Sequence, residues 1–198
     1  MKTISGILFL ALAASLCWTG CSRKTKVTQE YMDSLRSTYT LLSRDVDESW
    51  NKMIREDDQK IDNLKKLMQE VSKVKKYDQQ HFHTLSNRID SLPAERYDQK
   101  TMANSNLIDQ YDSLTIQLIR DIMNFAGSQT RWDDHSAGRR LMDQINALDS
   151  NVLYQRINYD RNAKDLNAFI KINHEVLLKI NPKGDYAARP LFEISPNP

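Results

Sequence analysis

Apolar residues recur at steps of three and four over most of the chain, a period that predicts helices throughout. From Tyr31 the stripe reads Tyr31, Leu35, Tyr39, Leu42, Val46, Trp50 and Met53. It falters at Arg55-Glu56-Asp57-Asp58. It resumes with Ile61, Leu64, Met68, Val71 and Val74, then Phe82, Leu85, Ile89 and Leu92, and Pro93 closes it. A third stripe runs from Ala94 to Ala126 through Tyr97, Leu107, Tyr111, Leu114, Leu118, Ile122 and Phe125, with Gly127 placed to end a helix. Residues 127–138 read as a loop. The last stripe runs from Arg139 to Ile180 through Leu141, Ile145, Leu148, Val152, Tyr159, Ala163, Leu166, Ile170 and Leu177, and stops at Asn181-Pro182.

A first helix running unbroken past Ile61 would stand beyond its partners with a lone apolar stripe in water. A break is therefore expected near residues 57–62, with Asp62 as N-cap of the next helix; the alternative is a helix that runs on. The split gives four helices of about 30, 30, 33 and 42 residues, roughly 45–63 Å long. Rods of this kind with short connections predict an all-α fold, an antiparallel up-and-down four-helix bundle with long, coiled-coil-like helices. The tail from Lys183 is irregular, and Arg189-Pro190-Leu191-Phe192-Glu193-Ile194 is expected to dock back on the bundle.

The first residues follow another pattern. A short basic start, Met1-Lys2, leads into an uncharged apolar stretch from Ile4 to Leu16, and Trp18-Thr19-Gly20-Cys21 precedes polar Ser22-Arg23-Lys24. This is the layout of an export signal. The apolar run is shorter than the roughly 20 residues a spanning helix needs. Thr19, Gly20 and Cys21 fit a lipobox, although Trp18 stands where Leu is usual. The expected organisation is a lipoprotein signal peptide over 1–20, a lipidated tether over 21–29 and the bundle with its tail over 30–198. Cys21 is the expected lipidation site, carrying palmitate or similar acyl chains; two or more such chains give stable anchoring. The alternatives are an uncleaved membrane anchor and ordinary cleavage after Ala13 or Ala14.

Composition narrows the chemistry. The only cysteines are Cys17 and Cys21, so the body has no disulfide, thiolate metal site or cysteine nucleophile. Glycine totals five, and beyond the leader only Gly127, Gly138 and Gly184 remain, which leaves no glycine-rich phosphate loop. The formal net charge of +2 exerts no strong pull on nucleic acid, and export argues further against that partner.

The chain resembles the LemA family of membrane-attached bacterial helical-bundle proteins over nearly its whole body. Tyr31, Leu35, Val46 and Ser49-Trp50 resemble the family's "V-x-x-A-W" stretch. Asp62, Leu67 and Val71, then Val74-Lys75-Lys76-Tyr77, fall where the family has "D-L-I-P-N-L-V", with Lys65 in place of its Pro. Arg156, Tyr159-Asp160 and Leu166-Asn167 resemble "R-x-x-Y-N-x-A-V-x-x-Y-N", and Arg189-Pro190-Leu191-Phe192-Glu193 resembles the closing "P-x-F-F-E". Residues 85–140 match poorly. The resemblance implies a four-helix bundle in the cell envelope and no catalytic residues.

Candidate chemistry is sparse. His81 and His83 are the best metal candidates, but an i,i+2 pair on a helix points apart. Asp133, Asp134 and His135, beside Trp132, could offer a cation carboxylate oxygens. Glu56, Asp57 and Asp58 read as a solvated acidic turn. Lys65, Lys66, Lys73, Lys75 and Lys76 form a basic run, read as a solvated face with headgroups or an acidic partner as the alternative. Arg156 interrupts the stripe between Val152 and Tyr159, and snorkels or pairs with an acid such as Asp57. The expected function is a non-enzymatic envelope lipoprotein of the LemA-like type that faces the periplasm or cell exterior. It binds a protein partner or scaffolds a membrane complex, without cofactor. The alternative is a cation-binding or hydrolytic envelope protein using His81, His83, Asp133, Asp134 and His135.

Overall fold

A computed structural model describes residues 28–192. The signal, Cys21 and most of the tether lie outside the described residues, as do Glu193 and Ile194. Four helices follow in order: α1 (Gln29–Ser72), α2 (Gln79–Glu95), α3 (Ser105–Gly127) and α4 (Ser136–Ile180). The chain is all-α, a four-helix bundle with long helices. Side chains set three of the starts. Thr28 accepts the N–H of Tyr31, Asp78 that of His81 and Asn104 that of Asn106, each pairing an N–H the helix itself cannot satisfy.

The expected break near residues 57–62 is absent. Helix α1 runs through it for 44 residues, and Asp62 caps nothing. No Gly or Pro interrupts the segment, and Glu56, Asp57 and Lys60 turn toward other helices while Arg55, Asp58 and Gln59 stay exposed. Glu56 accepts hydrogen bonds from Asn151 and Gln155 of α4, and Asp57 accepts one from Tyr111 of α3. The polar interruption is a partly buried polar layer inside a continuous helix. The chain turns instead at residues 73–78, which shortens α2 to 17 residues. Helix α3 likewise begins at Ser105 rather than near Ala94, because residues 96–104 form the hairpin connection, with a single 3-10 turn at Thr101–Ala103.

The lone apolar stripe that a long α1 would expose is covered by α4. Its 45 residues run antiparallel to α1, in a register fixed by Asn162 donating to the Asp45 carbonyl and Lys60 to Asp149. These two rods are about 66 Å long. The α2–α3 hairpin covers the half of α1 that ends at Ser72, here called the distal half. The proximal half is covered by the tail, which docks back as expected. Tyr39 donates to the Asp185 carbonyl, and Asn167 exchanges two hydrogen bonds with Arg189, at 2.8 and 2.7 Å. Tyr159 donates to the Pro190 carbonyl, and Asp160 accepts the Phe192 N–H.

The core is one cluster along this seam, with Leu64, Leu67, Leu85, Ile122, Ile145 and Tyr159 among its fully buried members. At the distal end the loop before α4 holds a 3-10 turn, Trp132–Asp134. Trp132 packs over Gly138, where a Cβ would collide with its indole. Among the described residues no helix is long and apolar enough to cross a membrane.

Continuity of α1 through the polar stretch is directly testable. Gln59 is exposed there. Gln59→Pro should cost about 3 kcal/mol or more in urea unfolding, as expected for proline in a helix interior, while Gln59→Ala should change little. A turn at this point would tolerate both.

Candidate functional site

Midway along the bundle, α1, α4, the hairpin connection and the tail converge. The connection is pinned by Asp98, whose carboxylate accepts the N–H groups of Thr101 and Lys100 and the Thr101 hydroxyl. Those bonds, led by the Thr101 N–H, hold the Asp98 carboxyl below the usual range. Just before it, Arg96 and Tyr97 are directed into the bundle.

Four rings pack at this junction. Trp50 lies 5.6 Å from Tyr159 and 6.2 Å from Tyr97, centroid to centroid, both edge-on. Phe192 of the tail stacks on Trp50 and meets Tyr97 and Tyr159 edge-on. The Arg156 guanidinium sits 5.0 Å from the centre of the Phe192 ring, within cation–π range. Arg156 also makes a two-pronged bond to Asp112 of α3, at 2.7 Å on each prong, and donates to the Tyr97 hydroxyl at 2.9 Å. One guanidinium thus joins α4, α3, the hairpin connection and the tail. Its pairing with Asp112 corrects the expectation of Asp57, which lies with a different arginine.

Asp57 is the hub of the second network. It pairs with Arg96 at 2.8 Å and Lys60 at 3.3 Å, and accepts the Tyr111 hydroxyl at 2.5 Å. Arg96 reaches Asp58 as well, and Lys60 bridges to Asp149. Burial opposes the Arg96 charge, but Asp57, with Tyr111 and Asp58, more than offsets it and raises its pKa. Arg156 is raised likewise by Asp112 and Tyr97. Burial and the adjacent Asp57 carboxylate push the Tyr111 phenol well up, and burial raises Tyr97. Glu56, Asp57 and Asp58 are therefore anchors between helices, not a solvated turn.

Against these networks lies a cavity of about 210 Å³ between α1, α3 and α4. Its walls include Met53, Ile54, Leu148 and Val152, and Ile116 and Leu153 stand at its mouth. It exceeds the roughly 150 Å³ of an engineered apolar cavity that holds benzene. Helices α3 and α4 flank it without packing closely on each other, so it opens into a groove floored by α1. Thr115, almost fully buried, lines it with a hydroxyl that has no hydrogen-bond partner, and Nε of Arg156 is also buried and unpartnered.

The sequence-predicted metal candidates are not brought together. His81 meets Phe125 edge-on and His83 meets Phe82. His135 stacks on Trp132, and Asp134 pairs with Arg131. Among the described residues no group of three or more His, Cys, Asp or Glu could hold a metal ion. The basic run is divided rather than a single face. Lys65 pairs with Asp90 of α2, while Lys73, Lys75 and Lys76 border a distal depression beside Arg131 and His135. Arg96, Asp112, Thr115, Ile116 and Leu153 were not anticipated. A signal existed for two of them: Leu153 lies off the Val152–Tyr159 stripe and Ile116 off the Leu114–Leu118 stripe.

Comparison with protein-family profiles, curated proteins and solved structures gives no match to this chain.

The raised phenols fix a direction for the pH dependence. Folded Tyr111 keeps its proton where the unfolded chain loses it, above about pH 10. Stability should be full below that pH and fall as pH rises through it. Thermal melts across this range should show the fall in the wild type and a shallower one in Tyr111→Phe; equal slopes would contradict the assignment.

Proposed function

We propose that this chain is a membrane-anchored envelope lipoprotein, LemA-like in type, that holds a protein partner and performs no reaction of its own. The observation that carries the reading is the open groove between α3 and α4. Ile116 and Leu153 line it and are each about half exposed, at 49% and 54%, and Ile157, one turn on from Leu153 along α4, is 51% exposed. A cluster of exposed apolar side chains beside a preformed cavity suits association with another macromolecule. The charged groups behind it are engaged with one another, an arrangement that suits holding helices in place better than moving protons.

The anchor rests on the sequence of the leader, with Cys21 as the acylated residue and the envelope as the location, facing the periplasm or the cell exterior. Helix α1 begins at Gln29. A short tether would therefore set the proximal half near the membrane and the α2–α3 half away from it, with the groove accessible to a partner. No nucleic-acid partner and no cofactor enter this reading. The cation-binding or hydrolytic alternative needs His81, His83, Asp133, Asp134 and His135 to converge, and their separation favours the scaffold.

Cys21→Ala should abolish lipid labelling and release the protein from membranes. Affinity capture of the wild-type protein from gently solubilised membranes should recover a partner in stoichiometric amount. Tight membrane association of Cys21→Ala would point to an uncleaved anchor, and repeated recovery of the chain alone would contradict the scaffold.

A further inference from the structure

We propose that the α3–α4 groove receives a basic amphipathic helix of a partner protein, with its apolar side over Ile116 and Leu153 and its lysines or arginines beside Asp112 and Asp149. The proposal rests on the scaffold reading above and names the chemistry of the partner.

The shape is the first argument. Two helical walls and a helical floor form a groove over which an amphipathic helix can lie, a common mode of helix recognition. The cavity below the groove has the volume for one large apolar side chain, the usual form of an anchoring residue. Thr115, 3% exposed, lines that cavity, and its buried hydroxyl has no partner.

The radial order of charge is the second argument, and it selects the sign of the partner. Around the cavity, Asp112 and Asp149 are 33% and 36% exposed, whereas the side chains of Lys60, Arg96 and Arg156 are 3%, 12% and 13% exposed. An approaching partner meets carboxylates flanking apolar side chains, with the cations behind them and already paired. Asp109, one turn before Asp112 on α3, is exposed and adds to the acidic edge. An acidic helix would meet the more exposed carboxylates before the cations that pair with them. A basic helix gains attraction at the rim and places its apolar face over Ile116, Leu153 and Ile157.

The test uses the mature chain from residue 21 with Cys21→Ser, which removes the acyl group from the measurement. The probe is a fluorescent Leu/Lys amphipathic helical peptide of about 18 residues, roughly five turns, and the control is a Leu/Glu peptide of the same pattern. Fluorescence anisotropy should show saturable binding of the Leu/Lys peptide and binding of the Leu/Glu peptide at least about tenfold weaker, as charge mismatch at an interface requires. Leu153→Ser, and separately Ile116→Ser, should each weaken the Leu/Lys peptide by about tenfold, the loss of an anchor contact without a change of charge. Ile172→Ser, at a position 81% exposed on the proximal part of α4, should leave it unchanged. Equal binding of both peptides, no binding of either, or indifference to Leu153→Ser would overturn the proposal. Self-association of the chain that Leu153→Ser abolishes would make a second copy the occupant and overturn it too. Membrane capture separates the proposal from the reading beneath it. A partner recovered equally with wild type and Leu153→Ser overturns the groove and leaves the scaffold standing; no partner with either overturns both.

Discussion

A helix of 44 residues can bury its apolar stripe only if something covers it along about 66 Å, and the hairpin helices α2 and α3, at 17 and 23 residues, reach roughly half of that. The rest of the architecture answers this mismatch. Helix α4 pairs with α1 over its full length, and the tail from Lys183 to Phe192 covers the half that the hairpin leaves open. Two coverings of different origin must then meet, and they meet at Arg156. Its guanidinium binds Asp112 of α3, donates to Tyr97 of the connection and lies over Phe192 of the tail.

That seam also shapes the cavity beside it. The Arg156–Asp112 pair links α4 to α3 where their backbones stay apart, and the Asp57 network links α1 to α3 and the connection. With α3 held by charge rather than by close packing on α4, a groove remains between them. Burying so many charges is not in itself a stabilising choice, since apolar replacements of similar volume are often as good or better. What the networks supply is position: they hold carboxylates at the rim and cations at the depth. The site is thus a by-product of how a long pair of helices is covered at its middle.

The helical class, the four-helix count and the docking of the tail were legible in the period of the apolar residues and in the scarcity of glycine. The course of α1 was not. Arg55-Glu56-Asp57-Asp58 looks like a turn because four charged residues interrupt a stripe, and sequence does not say that Tyr111, Arg96 and Gln155 wait to receive them. Those partners lie 38 to 99 positions away in the chain, and such pairings leave no local mark. The same limit misdirected Arg156 toward Asp57, for an arginine in an apolar stripe announces a buried acid without naming it. Leu153 and Ile116 did leave a mark, as apolar residues one step off their helices' buried faces. Their meaning emerged only once α3 and α4 were seen to flank the same space.

The central claim is that the seam at Arg156 couples the tail to the hairpin. Hydrogen exchange of wild type and Phe192→Ala tests it most directly. The account predicts faster exchange in the tail and also in residues 96–112 of the connection and the start of α3, because Arg156 loses one of the contacts that hold it. Faster exchange confined to the tail, with 96–112 as protected as in the wild type, would contradict it.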